Sequence, residues 1–324
     1  MKPEALQSIV IGGAGLMGAS MAQAFAHFGF SVTLYDISEA ALEKGKKLIA
    51  LNQKDWVELG LIGEEASGQL QESLRFTTDR SAFRNCGLVV ESIVERLEVK
   101  QSFWREVSEL AGKDCVFATN TSGLSITAIA EAVKGPERFA GMHWFNPSHI
   151  VPLVEVIQGE KTAPETADFL YDLALRIGKK PVRVNKDAKG FLANRLQLAV
   201  LREALHIVES GIGSPEDVDA CMKYGLGLRY AGFGPFEVCD FGGLDTFYHI
   251  SEYLFPDLSD AKEPFGLLQD RFERGEYGVK TQRGFYVYED GKAEAAIARR
   301  DKLPRNSAAA EQGRKTSKDH CGVI

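Results

Sequence analysis

The feature that most constrains this chain is the glycine-rich run Gly13-Ala14-Gly15-Leu16-Met17-Gly18. It stands directly after the apolar stretch Ser8-Ile9-Val10-Ile11 and ahead of a helical pattern that includes Met21 to Phe28. A lone GxGxxG carries little weight, but one that leaves a strand and opens a helix describes a dinucleotide phosphate loop. In that reading Gly13 permits the tight turn, Gly15 lets the backbone approach a pyrophosphate, and Gly18 lets the helix pack close to the strand. Leu16 and Met17 complete the loop, and the phosphates sit at the helix N-terminus. Asp36 ends a second strand, Val32-Thr33-Leu34-Tyr35-Asp36, about twenty residues further on. An acid there accepts hydrogen bonds from the adenosine ribose and repels a 2′-phosphate. No arginine follows at Ile37, Ser38 or Glu39, so NAD is favoured over NADP. Capping of the next helix is a compatible second role for Asp36.

With 324 residues, 44% of them hydrophobic and 26% charged, the chain exceeds one modest core and fits two globular domains. Its net charge of -7 argues against a nucleic-acid binder. The five cysteines (Cys86, Cys115, Cys221, Cys239, Cys321) are odd in number and lack CxxC spacing. Neither a zinc site nor a disulfide framework is indicated, and a reducing, cytoplasmic setting suits them. No stretch reaches membrane-spanning length. The final Cys321-Gly322-Val323-Ile324 is a poor prenylation box, because Gly322 is not aliphatic and no polybasic run precedes the cysteine.

From Ser8 to about Val184 short apolar runs alternate with helical stretches, as in a parallel sheet covered on both faces. The expected strands are Ser8–Ile11, Ser31–Tyr35, Leu88–Ser92, Val116–Asn120, Phe139–His143, Leu153–Ile157 and Lys180–Val184. Phe191 to Glu209 then reads as one long amphipathic helix, which sets a domain boundary near Val184 to Lys189. The second domain is rich in large apolar residues such as Phe233, Phe236, Phe241, Leu244, Tyr253 and Phe255, which must be core or subunit interface. From about Gly291 the chain turns polar and is expected to be mobile.

Chemistry enters with His143, in the run Gly141-Met142-His143-Trp144-Phe145-Asn146-Pro147, and with Glu155, flanked by Val154 and Val156. A carboxylate in an apolar strand is costly to desolvate unless a partner holds its charge, and an imidazole that becomes cationic during turnover is such a partner. A core histidine satisfied by a backbone carbonyl is the plainer alternative.

Taken together, these residues resemble the L-3-hydroxyacyl-CoA dehydrogenase family over nearly the whole chain up to about Tyr288. The carriers are the glycine loop, Val89-Val90-Glu91-Ser92-Ile93-Val94-Glu95, Asn120-Thr121-Ser122, His143-Trp144-Phe145-Asn146-Pro147, Leu153-Val154-Glu155, and Gly190-Phe191 followed by Asn194-Arg195. The resemblance implies an α/β Rossmann-type NAD-binding domain over 1–187 and an all-α substrate and dimerisation domain over 188–292, leaving 293–324 as a polar tail. It implies a homodimer and a small-molecule substrate, an acyl-CoA thioester, bound between the domains. His143 becomes the general base, oriented by Glu155, while Ser122 hydrogen-bonds the reacting oxygen and Asn194 holds the substrate near the histidine. Glu95, Lys100, Asn120 and Asn146 match positions near the cofactor. Ser122 as a cap for the helix near Ser125, Asn194 as an ordinary first-turn polar residue, and Lys100 as a solvated charge are the plainer readings.

Three departures bear on the substrate. Leu59-Gly60-Leu61-Ile62 replaces a Lys-Gly-Lys segment, Pro152 stands in place of a lysine, and Gly123 replaces a second serine. Lys46, Lys47 and Lys54 are the remaining candidates for a phosphate anchor. The expected activity is NAD-dependent oxidation of an L-3-hydroxyacyl-CoA to the 3-oxoacyl-CoA, as in β-oxidation of fatty acids. The alternative is the same chemistry on a free gulonate-, carnitine- or pyridine-type hydroxy acid.

Overall fold

The computed structural model of the protein describes residues 3–58 and 60–299. The chain divides into two compact units, residues 1–193 and residues 194–324. The first holds eight strands: β1 (Ser8–Gly12), β2 (Ser31–Tyr35), β3 (Arg75–Thr77), β4 (Leu88–Glu91), β5 (Val116–Thr119), β6 (Phe139–Trp144), β7 (Leu153–Ile157) and β8 (Lys180–Val184). Six helices accompany them: α1 (Leu16–His27), α2 (Glu39–Glu58), α3 (Glu64–Ser73), α4 (Leu97–Leu110), α5 (Ile126–Ala130) and α6 (Pro164–Arg176).

The strands form one sheet in the order β3-β2-β1-β4-β5-β6-β7-β8. The order reverses between β1 and β4, and the crevice beyond the carboxyl ends of those strands is where such sheets bind dinucleotides. Residues on both faces of the central strands are buried, as in Leu88–Glu91 and Val116–Thr119, which explains why they read as continuous apolar runs.

All neighbouring strands are parallel except β6 and β7. The exception departs from the uniformly parallel alternation expected from sequence. Only residues 145–152 link the two strands, which is too short for the dozen or so residues of a parallel crossover. Strand β3 was also not anticipated; its three residues carry too little pattern to announce it.

Two apolar layers cover the sheet, one around Phe25, Trp144 and Leu173, the other around Trp104, Phe117, Phe139 and Phe191. Strand alternation sends Met142, Trp144, Val154 and Val156 into the first layer. His143 and Glu155 therefore project to the opposite side, where the His143 ring lies 5.7 Å from that of Phe191.

The second unit is helical: α7 (Ala193–Glu209), α8 (Pro215–Cys221), α9 (Gly227–Tyr230), α10 (Pro235–Gly242), α11 (Leu244–Leu254) and α12 (Gly266–Glu273). Ser214 and Asp217 form a capping box at the start of α8. Leu196, Leu198, Phe236, Phe241, Tyr253 and Phe255 are exposed on it. Residues 292–299 are helical and Ala293 is buried, so the polar tail expected from 293 begins with ordered chain. The rest of that tail, with Cys321-Gly322-Val323-Ile324, lies outside the described residues. Among the described residues no helix is long and apolar enough to cross a membrane, and no cluster of His, Cys, Asp and Glu is arranged to hold a metal.

Lys179, just ahead of β8, is buried, and among the described residues no carboxylate pairs with it. Its ammonium donates to the carbonyls of Ser148 (2.6 Å) and Val151 (2.9 Å) in the β6–β7 connection and lies 5.0 Å from the Trp144 ring centroid. Burial pushes its pKa down to about 8. An unfolded chain keeps its lysines protonated to about 10.4. Above pH 8 the unfolded state therefore binds more protons than the folded state, and stability rises with pH. The unfolding free energy of the wild type relative to Lys179→Met is expected to grow by ~1–3 kcal/mol between about pH 7 and about pH 10, measured by urea denaturation. An unchanged difference would refute a desolvated ammonium.

Candidate active site

The glycine loop has the geometry its sequence suggests. Gly13 has φ +107, and a Cβ there would stand 2.4 Å from the Ser92 carbonyl oxygen. A Cβ on Gly18 would collide with the Gly13 carbonyl at 1.8 Å, whereas one on Gly15 would meet no protein atom within 4 Å. The loop is thus closed against the sheet at its ends and open at its middle. Gly15 caps α1 without any side-chain hydrogen bond, leaving first-turn amides and the positive end of the helix dipole for an anion. Asp36 accepts from the amides of Ala14 (2.9 Å) and Ser38 (3.0 Å), tying the loop to the start of α2. A cavity of about 460 Å³ adjoins them, lined in part by Gly15, Asp36, Ile37, Arg80 and Phe83. Arg80 is a cation that sequence spacing did not connect with Asp36; Glu106 holds it at 2.9 Å.

His143 and Glu155 are direct cross-strand partners in the β6–β7 register. Nδ1 of His143 lies 2.8 Å from Glu155 Oε2, with Glu155 fully buried and His143 4% exposed. The other carboxylate oxygen accepts from the amides of Leu192 and Ala193, both at 2.9 Å, at the start of α7. Burial by itself would push Glu155 up. The hydrogen bond from His143 and the two amides outweigh it and hold the carboxyl below its ordinary range. An ionised Glu155 only accepts, so Nδ1 carries a proton, and in the neutral imidazole it is Nε2 that has the lone pair for proton transfer. The amides reach Glu155 through a tight turn in which Gly190 has φ +78 and Phe191 φ +50. A phenylalanine in the left-handed region costs on the order of 1–3 kcal/mol; burial of its ring at 1% exposure offsets that cost.

Beside this pair lies a second buried charge network. Lys100, expected near the cofactor or in solvent, is 1% exposed and donates to Glu91 Oε1 at 2.5 Å, with Glu95 Oε2 at 3.2 Å. Glu95 Oε1 accepts from Thr121 Oγ1 (2.5 Å) and from the amides of Ser122 (2.8 Å) and Gly123 (3.3 Å). Burial alone would raise Glu95; the Thr121 hydroxyl, Lys100 and the Ser122 amide lower it. Asn120 Oδ1 accepts from the Trp144 amide at 2.7 Å, one residue beyond His143. Ser122 is exposed and is not the cap of α5; Ser125 is, accepting from the Ala128 amide. Asn146 is exposed, ahead of the cis peptide to Pro147. Asn194 is the second residue of α7, in the other unit.

Comparison with known proteins identifies the family. Residues 8–188 match the family model for the NAD binding domain of 3-hydroxyacyl-CoA dehydrogenase, and residues 190–288 match that for its C-terminal domain. The chain belongs to the 3-hydroxyacyl-CoA dehydrogenase family. It is 39% identical over 287 residues to human mitochondrial hydroxyacyl-coenzyme A dehydrogenase, covering 86% of this chain and 90% of the relative. It is 36% identical over 296 residues to the 5-formyl-3-hydroxy-2-methylpyridine 4-carboxylate 5-dehydrogenase of Mesorhizobium japonicum, covering 91% and 95%. A crystal structure of an enzyme of the latter kind, an NAD+-dependent dismutase, superposes with a TM-score of 0.85 at 35% identity, covering 95% of this chain and 98% of that one. The (S)-3-hydroxybutyryl-CoA dehydrogenase of Ralstonia eutropha gives a TM-score of 0.75 at 32% identity, covering 88% and 100%. The protein is an NAD-dependent oxidoreductase of this family, and its cofactor is NAD. The open middle of the glycine loop and the carboxylate of Asp36 fit that cofactor.

Sequence reasoning passed over Glu91, although a glutamate closing the apolar run Leu88-Val89-Val90 carries the same signal that singled out Glu155. The amides of Leu192 and Ala193 leave no residue-type signal at all. For Glu155, the lowered folded-state value means that its stabilising contribution is complete above the ordinary carboxylate range and is lost as pH falls through the folded value. Glu155→Gln is expected to destabilise the protein by ~3–5 kcal/mol near neutral pH. That penalty should shrink on acidification below about pH 4, as the wild type loses the same charge. Denaturant titrations of both proteins across that range check it, and a pH-independent penalty would contradict an ionised Glu155.

Proposed function

We propose that the protein oxidises the C3 alcohol of an L-3-hydroxyacyl-CoA to the 3-oxoacyl-CoA, with His143 as the general base. NAD supplies the hydride acceptor when bound. His143 Nε2 takes the hydroxyl proton while the C–H electron pair of the same carbon departs as hydride, giving the ketone and an imidazolium. Glu155 stabilises that cation and holds the ring so that only Nε2 meets substrate. Ser122 and Asn194 steady the oxygen as charge develops on it. The observation that carries this reading is the buried 2.8 Å contact between His143 and Glu155, built on adjacent strands and locked by the α7 amides. The protein acts as a homodimer through the apolar residues exposed on its helical unit, and it works in the cytoplasm.

A second reading keeps the chemistry and takes a free, pyridine-type hydroxy acid as substrate. It is favoured by the absence of lysines at Leu59-Gly60-Leu61-Ile62 and at Pro152, and by the likeness to the pyridine carboxylate dehydrogenase. Acetoacetyl-CoA with NADH, set against a panel of free hydroxy acids with NAD, separates the two by absorbance of the reduced cofactor. Turnover of acetoacetyl-CoA is the expected outcome, and turnover of free acids alone would displace the first reading.

His143→Gln is expected to lower kcat by roughly 10²–10⁴-fold while leaving NADH affinity within about threefold. Unchanged turnover would exclude His143 as the base.

A further inference from the structure

Glu91 closes β4, the strand on one side of the sheet's switch point, in register with Gly12 of β1 and Thr119 of β5. It is fully buried, and both its oxygens are engaged. Oε1 accepts from the Lys100 ammonium (2.5 Å) and the Ile93 amide (2.9 Å), and Oε2 from Thr119 Oγ1 (2.7 Å) and Trp104 Nε1 (3.4 Å). We propose that Glu91 is a positioning residue for cofactor binding: it anchors Lys100 so that the ammonium steadies Glu95 without capturing it, leaving the Glu95 carboxylate presented to the bound dinucleotide. This rests on the reading of Glu95 as a cofactor contact.

Lys100 has three acceptors within reach: Glu91, Glu95 and, at 3.5 Å, the Ile93 carbonyl. Two carboxylates therefore share one ammonium, and the shorter contact goes to the buried partner. Stability alone is a weak reason for such a cluster, since a buried ion pair replaced by apolar side chains of similar volume is often no less stable. The asymmetry of exposure gives a better one, because the Glu91 and Lys100 side chains are 0% and 1% exposed while that of Glu95 is 43% exposed. Glu95 uses Oε1 to gather the Thr121 hydroxyl and the Ser122 and Gly123 amides. Oε2, met by Lys100 from inside, has lone-pair capacity left for a hydroxyl or carboxamide donor arriving from solvent. With a neutral side chain at position 91 the whole ammonium charge falls on Glu95. Its carboxylate is then drawn inward, away from the 121–123 segment and from any external donor.

The test measures NADH affinity by nucleotide fluorescence in Glu91→Gln, Lys100→Gln, the Glu91→Gln/Lys100→Gln double variant and Glu95→Ala. Glu91→Gln is expected to raise Kd for NADH about tenfold, and in steady state to raise KM for NAD by a similar factor with a much smaller fall in kcat. The double variant, freed of the uncompensated ammonium, is expected to bind NADH more tightly than Glu91→Gln alone; a purely structural role would make it bind no better. If Glu91→Gln does not fold, Glu91→Asp keeps the charge on a shorter arm and should show a roughly threefold rise in Kd. Normal NADH affinity in folded Glu91→Gln or in Glu91→Asp, alongside weakened Glu95→Ala, would overturn this inference alone. Normal affinity in Glu95→Ala would overturn the assignment of Glu95 to the cofactor and this inference with it.

Discussion

The structure turns on one carboxylate that would be intolerable where it stands if it were alone. Glu155 is fully buried between two valines on β7, and the unshielded desolvation cost of such an ion is many kcal/mol. What makes it tolerable are donors from three directions: the imidazole of the neighbouring strand and two amides that open the next helix. Each imposes geometry on the fold. The imidazole requires β6 and β7 to be antiparallel neighbours in the register that sets His143 opposite Glu155. The amides require the chain leaving β8 to turn sharply through Gly190 and Phe191 and begin α7 at that point. The sheet's one antiparallel pair and its one strained phenylalanine near the end of the first unit thus share a cause.

The same device, differently loaded, closes β4. Glu91 ends β4 and Glu155 is the middle residue of β7, both are fully buried, and both accept hydrogen bonds on each oxygen. Glu155 faces an imidazole, the partner proposed to change its charge during turnover. Glu91 faces the ammonium of Lys100, which it shares with Glu95.

How far the sequence discloses this depends on how local the cause is. The glycine loop is legible because three successive constraints, a positive φ at Gly13, an open side at Gly15 and a tight packing contact at Gly18, act within six residues. His143 and Glu155 are legible because a charge among valines demands an explanation. Lys100 misleads: at the level of residue type a lysine belongs in solvent, and only the fold reveals that Glu91 and Glu95 meet at its ammonium. The antiparallel β6–β7 pair is disguised by its apolar, strand-like runs, which look the same in either direction; the short connection was the one clue. Ser122 and Ser125 differ by a single turn of chain, and the choice of cap between them is made by Asp187, which accepts from Ser125 Oγ at 2.6 Å and from the Thr127 amide at 2.8 Å.

Substrate identity stays least legible for a related reason. The proposed base and its carboxylate are packed into the sheet, where Glu155 has three hydrogen-bond donors. The groups that would recognise a coenzyme A phosphate lie on exposed helices, where Lys46 already pairs with Glu43 at 2.5 Å and Lys54 lies 3.7 Å from Glu58. Surface pairs of this kind are worth ~0–1 kcal/mol, so they neither hold the lysines firmly nor forbid them to another anion. Substituting such exposed cations would therefore leave the buried His143–Glu155 contact undisturbed.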